Sequence, residues 1–215
     1  MQNIILKQAR AIAHSGDAID IEQAQQLLMN HLTINQYDTE AWLLLARLEC
    51  NPPFYDQDRI IHYVQHVLSY DPSNAYALLL WAYVDHYLMG NSDDDFYDKL
   101  CMAHSDDWEI MSMLELAKAR YFELRDSKKC EEALKKSIEY CSTHAMNFYM
   151  LGKMYVKQGK IKEGNLLIEH GLQNIQRLRR CQDVDTWQLD YVSIQGLLDE
   201  FFSGISTNEI AIGGW

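Results

Sequence analysis

Apolar residues recur along this chain with the spacing of an amphipathic helix, three to four residues apart, in one segment after another. Ile60, Ile61, Val64, Val67 and Leu68 form one such stripe, and Cys130, Ala133, Leu134, Ser137, Ile138 and Cys141 form another. Turn signals fall between the stripes. Asp71-Pro72-Ser73-Asn74 ends one helix and opens the next, because proline cannot continue a helix while asparagine caps one well. The pattern predicts helix pairs at 3–14 with 18–33, 39–50 with 56–70, 74–89 with 93–104, 107–125 with 128–141, and 144–157 with 160–178. A further helix at 183–202, capped by Asp183 or Asp185, is expected to close the open end, leaving 204–215 as a tail.

The pairs repeat at a fixed period. Anchors at Trp42, Leu78, Met113 and Phe148 lie 35 or 36 residues apart, and the residue four places after each is small: Ala46, Ala82, Ala117 and Gly152. Small side chains at one phase of a repeat mark where two helix axes approach closely. The window 144–172 is the most specific. There Phe148, Leu151, Gly152, Tyr155, Gly164 and Ile168 occupy the slots of the tetratricopeptide signature, which this segment resembles. Gly164 stands where the family has alanine. The earlier copies lack the family's tyrosine and carry Glu49, Asp85 and Arg120 instead, which implies altered packing or a solvent-facing register there.

The resemblance implies an all-α fold, a right-handed superhelix of antiparallel helix pairs, covering 1–203 as one repeat domain of about five pairs with a capping helix. It also implies a non-enzymatic role: holding a segment of another protein in a concave groove lined by the first helix of each pair. Carried over slot by slot, the groove would use Arg47, Tyr76, Leu79, Tyr83, Tyr87, Lys118, Tyr121, Phe122, Tyr149 and Lys153. Tyrosine suits such a surface because its ring buries area while its hydroxyl finds a partner. The alternative is that some of these rings are core. The Lys and Asn clamp by which some family members hold chaperone C-termini is absent, since Leu43, Arg47, Leu79 and Tyr83 stand in those slots.

Charge sharpens the partner. Of 31 acids and 19 cations among 215 residues, residues 1–110 hold 17 acids and 5 cations, so the whole net charge of −12 lies in that half. A polyanion would be repelled, which argues against nucleic acid, whereas a basic partner would be steered in. Glu40, Glu49, Asp85, Asp93 and Asp94 are the acids expected to do this. The partner is therefore expected to be a protein with a basic or hydrophobic segment, met by an adaptor or chaperone, or alternatively a basic toxin neutralised by an immunity-type protein. Arg177, Arg179 and Arg180 read as cations complementing a helix C-terminus.

Other chemistry is weakly marked. No apolar run reaches the length of a membrane span, and the start, Met1 to Gln8, lacks the pattern of a secretory leader. Five cysteines, an odd number without a CxxC pair, suit reduced thiols in the cytoplasm. No cofactor motif occurs. His62 and His66, four apart on a helix, could face one metal ion and would be the centre of a hydrolase, but they lack the intervening glutamate and a third ligand. Asp93-Asp94-Asp95 lacks the calcium-loop series and reads as a helix N-terminus.

Overall fold

A computed structural model describes residues 4–50, 56–84 and 94–181, with the side chains of 95–96 and 175–181 left aside. The described residues are helical throughout: α1 Ile4–Ala13, α2 Ala18–Leu32, α3 Thr39–Glu49, α4 Gln57–Tyr70, α5 Ala75–Ala82, α6 Asp94–Met102, α7 Trp108–Phe122, α8 Ser127–Tyr140, α9 Ala145–Lys157 and α10 Ile161–Cys181. They gather into two compact units, α1–α6 in the first and α7–α10 in the second. Each predicted pair is present as two consecutive helices. The expected 183–202 helix, its caps Asp183 and Asp185, and the tail lie outside the described residues. The arginine cluster sits on the last turns of α10, where only the backbone is described.

The helices begin where the sequence supplies a cap. Asp17, Asp38, Asp56, Asn74, Asp107 and Asp126 each accept a backbone N–H of the first turn, satisfying donors that have no intrahelical partner. In the Asp71–Asn74 turn, Asp71 accepts from the Ser73 amide and hydroxyl and from the Asn74 side chain, while Asn74 Oδ1 accepts from the Ala77 amide at 3.1 Å. Gly159, at φ +82°, makes the turn between α9 and α10, a left-handed backbone that glycine adopts without penalty. α5 runs to Ala82, the backbone widens into a π-type turn at Tyr83 and Val84, and the rest of the predicted helix, to 89, lies outside the described residues.

Helix pairs are held by close crossings. In the second unit α9 meets α10 through a glycine seam. A Cβ on Gly152 would lie 2.7 Å from the Gly164 carbonyl and from Ile168, one on Gly164 would lie 2.7 Å from the Gly152 carbonyl, and one on Gly171 would lie 2.9 Å from the Ala145 carbonyl. This explains glycine in place of the family's alanine at 164. The backbones touch, and no side chain fits between them.

The third copy solves the crossing differently. Ala117 is only half-buried, and the close approach of α7 to α8 falls at Ser112 and Ser137, each donating its hydroxyl to the other's carbonyl at 2.8 and 2.7 Å. Both are fully buried, and their small side chains let the helices come close while each hydroxyl finds an acceptor in the facing carbonyl.

Candidate protein-binding surface

The first helices α3 and α7 differ from their partners α4 and α8. In α4 only Ile60, Tyr63, Val64 and Val67 are buried, and in α8 only Cys130, Ala133, Leu134 and Ser137, one stripe each. In α3 every residue from Leu43 to Glu49 is buried, and in α7 every residue from Ile110 to Leu116. A helix buried all round is packed on all sides. The slots carried over from the family lie mostly on these buried helices.

In the first unit Arg47, Leu79 and Tyr83 are buried, Tyr76 is half-buried, and Tyr87 lies outside the described residues. In the second, Tyr121, Phe122 and Tyr149 are buried, while Lys118 and Lys153 are half-buried. Several of these rings already hold cations of the chain itself. The Arg125 guanidinium lies 4.3 Å from the Tyr121 centroid and also donates to the Tyr121 carbonyl at 2.8 Å, Lys129 stands 5.2 Å from Phe122, and Lys153 stands 5.5 Å from Tyr149. Lys118 pairs with Glu115 at 2.7 Å.

Of the acids read as steering charges, Glu40 and Asp94 are exposed, while Asp85 and Asp93 lie outside the described residues. Glu49 does not face solvent. It is 1% exposed, and its Oε1 accepts from Arg59 of α4 at 2.9 Å, while Oε2 is buried without a hydrogen bond. Burial pushes its carboxyl above the ordinary range, with Arg59 opposing the shift. The family's tyrosine slot is thus filled here by an interhelical ion pair. In the 144–172 copy the slot keeps its tyrosine, and Tyr155 donates to Glu131 of α8 at 3.1 Å.

A buried polar cluster lies in the second unit. His144, fully buried, places Nδ1 3.0 Å from Ser112 Oγ, and Asn147 donates to Ser137 Oγ at 3.1 Å. The one Ser112 hydroxyl proton has the Ser137 carbonyl, Ser137 Oγ and His144 Nδ1 within reach, so the direction of the His144 bond follows the ring tautomer. Nε2 has no hydrogen-bond partner. Burial lowers the His144 pKa to about 3, so the ring is neutral. This is also why α9, alone among the first helices with a described cap residue, has no side-chain cap bond at its N-terminus: the His144 ring is committed inward.

His62 and His66 flank Trp42, their ring centroids 6.4 and 4.6 Å from the indole, and His66 Nε2 contacts the Gln36 carbonyl at 3.1 Å. Among the described residues no three His, Cys, Asp or Glu side chains are grouped to hold a metal ion. Cys50 and Cys130 are free and buried, their thiols pushed up to about 12 and about 11 chiefly by desolvation, which makes them poor nucleophiles. No described helix is long and apolar enough to cross a membrane.

The exposed aromatic surface lies where the slot pattern does not look. Tyr37, in the turn before α3, meets Tyr70, the last residue of α4, edge to face at 5.4 Å, and the two are 66% and 52% exposed. Beside Tyr37 opens a cavity of about 350 Å³ lined by His31, Ile34, Asn35, Tyr37 and Asp38, and Ile34 is 83% exposed. The α7–α8 pair repeats the feature, with Trp108 and Tyr140 5.7 Å apart at the corresponding ends. The sequence signal was present as Tyr-Asp at 37–38 and again at 70–71. That the two rings meet depends on the hairpin.

No family model matches the chain, and no curated protein matches it by sequence. Among solved structures it resembles the crystal structure of MamA, with a TM-score of 0.53 and 16% identity over 84% of this chain and 99% of that one. At that identity the likeness speaks to the fold alone: the described residues form consecutive helix pairs, an all-α arrangement like that of MamA.

Proposed function

We propose that this chain is a non-enzymatic adaptor or chaperone that binds a segment of another protein stoichiometrically, the segment being basic with apolar residues. The observation that carries this reading is the charge segregation on a helix-pair scaffold. Residues 1–110 hold 17 acids against 5 cations, and this half also presents exposed apolar side chains, Ile34, Tyr37 and Tyr70 among them. Acidic surface with apolar anchors suits a partner of opposite charge, because opposite potentials raise the encounter rate and the anchors supply affinity. Of the slot residues, Tyr76 in the first unit and Lys118 and Lys153 in the second are half-buried, while Tyr83, Tyr121 and Tyr149 are buried.

Affinity purification of the full chain from its own cells, at low salt and again at about 0.5 M, tests this. A basic protein recovered in fixed proportion at low salt and lost at high salt is the expected result. Recovery of no protein, together with substrate turnover by the purified chain, overturns it. The same acidity suits an immunity-type role, distinguished by whether the recovered partner is a toxin that the chain inhibits.

A further inference from the structure

The aromatic pair at the foot of the α3–α4 hairpin has the makings of a receptor for a cation. Tyr37 and Tyr70 hold their rings edge to face at 5.4 Å, the His66 ring meets Tyr70 at 5.3 Å on another side, and the rest of each tyrosine ring is open to solvent. Neither has a cation over it among the described residues. In the second unit, by contrast, Tyr121, Phe122, Tyr149 and Tyr155 each lie under a lysine or arginine of the same chain. The first unit has few cations to offer: Arg47 is buried, Arg59 pairs with Glu49, and Lys99 lies over Trp81.

Each ring is followed directly by an aspartate that its own turn holds in place. Asp38 accepts from the Ala41 amide at 3.1 Å and contacts His31 at 2.8 Å, and Asp71 is fixed by Ser73 and Asn74. Two carboxylates held in the adjoining turns and two partly exposed rings favour a positive group, and exposed Ile34, which lines the 350 Å³ cavity, offers apolar surface to the alkyl stem that such a group carries.

The geometry points to this foot as the docking point for an arginine or lysine side chain of the partner segment. The inference rests on reading the chain as a protein-binding scaffold, and it moves the first contact from the inner slots of the helices to their turns. Charge complementarity identifies the occupant as a basic protein segment, because the half that carries the rings carries all of the net −12.

The test uses the full chain with its tyrosine rings isotope-labelled, titrated with a heptapeptide of alternating arginine and leucine and with its citrulline counterpart, which keeps the shape and loses the charge. The expected result is that the arginine peptide shifts the Tyr37 and Tyr70 ring signals and the citrulline peptide does not. In the double variant Tyr37→Leu, Tyr70→Leu, binding of the arginine peptide should weaken about four- to twenty-five-fold, from a two- to fivefold loss per ring. Equal binding of both peptides, or ring shifts confined to other tyrosines, overturns the docking point. The ring shifts are read on the unmodified chain, so they decide the matter even where the double variant does not fold. A cellular partner retained in full by the folded double variant also overturns the docking point while leaving the adaptor reading intact; failure to recover any partner strikes the adaptor reading and leaves the peptide result to stand alone.

Discussion

The α3–α4 pair of the first unit and the α7–α10 helices of the second follow one plan and are closed by different chemistry. Where the first places buried Glu49 against Arg59, the second places Tyr155 against Glu131, whose carboxyl is held below its ordinary range chiefly by the hydrogen bond from Lys135. The buried titratable groups also lean in opposite directions. Glu49 is raised by burial and so favours its neutral, protonated form; His144 is lowered by burial and favours its neutral, deprotonated form. Acid therefore relieves the first unit and stresses the second. A repeat that looks uniform in sequence is thus composed of copies with distinct electrostatic tolerances.

The glycine seam offers the hardest break. Gly152→Leu drives a side chain into the Gly164 carbonyl and Ile168, and should cost about 1–3 kcal/mol or more. Thermal melting would show it as a drop of several degrees. Gly164→Ala probes the same contact from the facing helix, and a melt matching the parent for both would remove the seam.

Acid titration comes next. The folded pKa of His144, about 3, lies below its unfolded value of 6.5. Its neutral form therefore contributes stability that is present above pH 6.5 and is lost progressively as pH falls toward 3, by up to several kcal/mol. Glu49, with its folded pKa above 4.5, works the other way: its contribution is complete below 4.5 and is lost as pH rises through the folded value. Hydrogen exchange followed from pH 7 to pH 5 should show α7–α9 losing protection while α3–α4 holds or gains. His144→Asn should flatten the response of the second unit. Equal loss in both units would erase the contrast.

A smaller effect is expected at the ion pair. Arg59 is largely exposed, so its own share is screened, but Arg59→Ala leaves Glu49 buried without a partner and should cost about 1–3 kcal/mol at neutral pH, less at pH 4. Glu49→Gln keeps a hydrogen bond, removes the buried charge, and should leave stability at pH 7 equal or higher. Chemical denaturation at both pH values reads this. Smallest is Tyr155→Phe, which deletes one half-exposed hydrogen bond at a cost of about 0.5–1 kcal/mol. A loss as large as that of Arg59→Ala would mean that the two slots carry equal weight after all.

On the functional side, Glu40→Lys with Asp94→Lys reverses two exposed charges and should slow association with a basic partner at low salt, leaving dissociation nearly unchanged, with the difference fading at about 0.5 M. Stopped-flow mixing with the recovered partner gives both rates.

Much of the architecture was legible in the chain. The helical period, the Asp and Asn caps, the small residues near a 35-residue spacing and the Phe148 to Ile168 signature depend on local geometry, and local geometry is written in short stretches of sequence. The candidate surface was legible only in part, because a slot pattern names the face of a helix and leaves open what lies against it. Nothing local in the sequence distinguishes buried Glu49 from exposed Glu40; the difference is an arginine ten residues on, brought across by the turn into α4. Ser112, Ser137 and His144 lie up to 32 residues apart, and their hydrogen bonds exist because two helix crossings exclude water from one point. Tyr37 and Tyr70 meet because a hairpin returns its chain to where it began. The sequence by itself determined which segments are helices, where the capped ones begin, and that one half is acidic. Burial, pairing and pKa direction were decided only by the tertiary structure, since desolvation and proximity depend on distances between residues far apart in the chain.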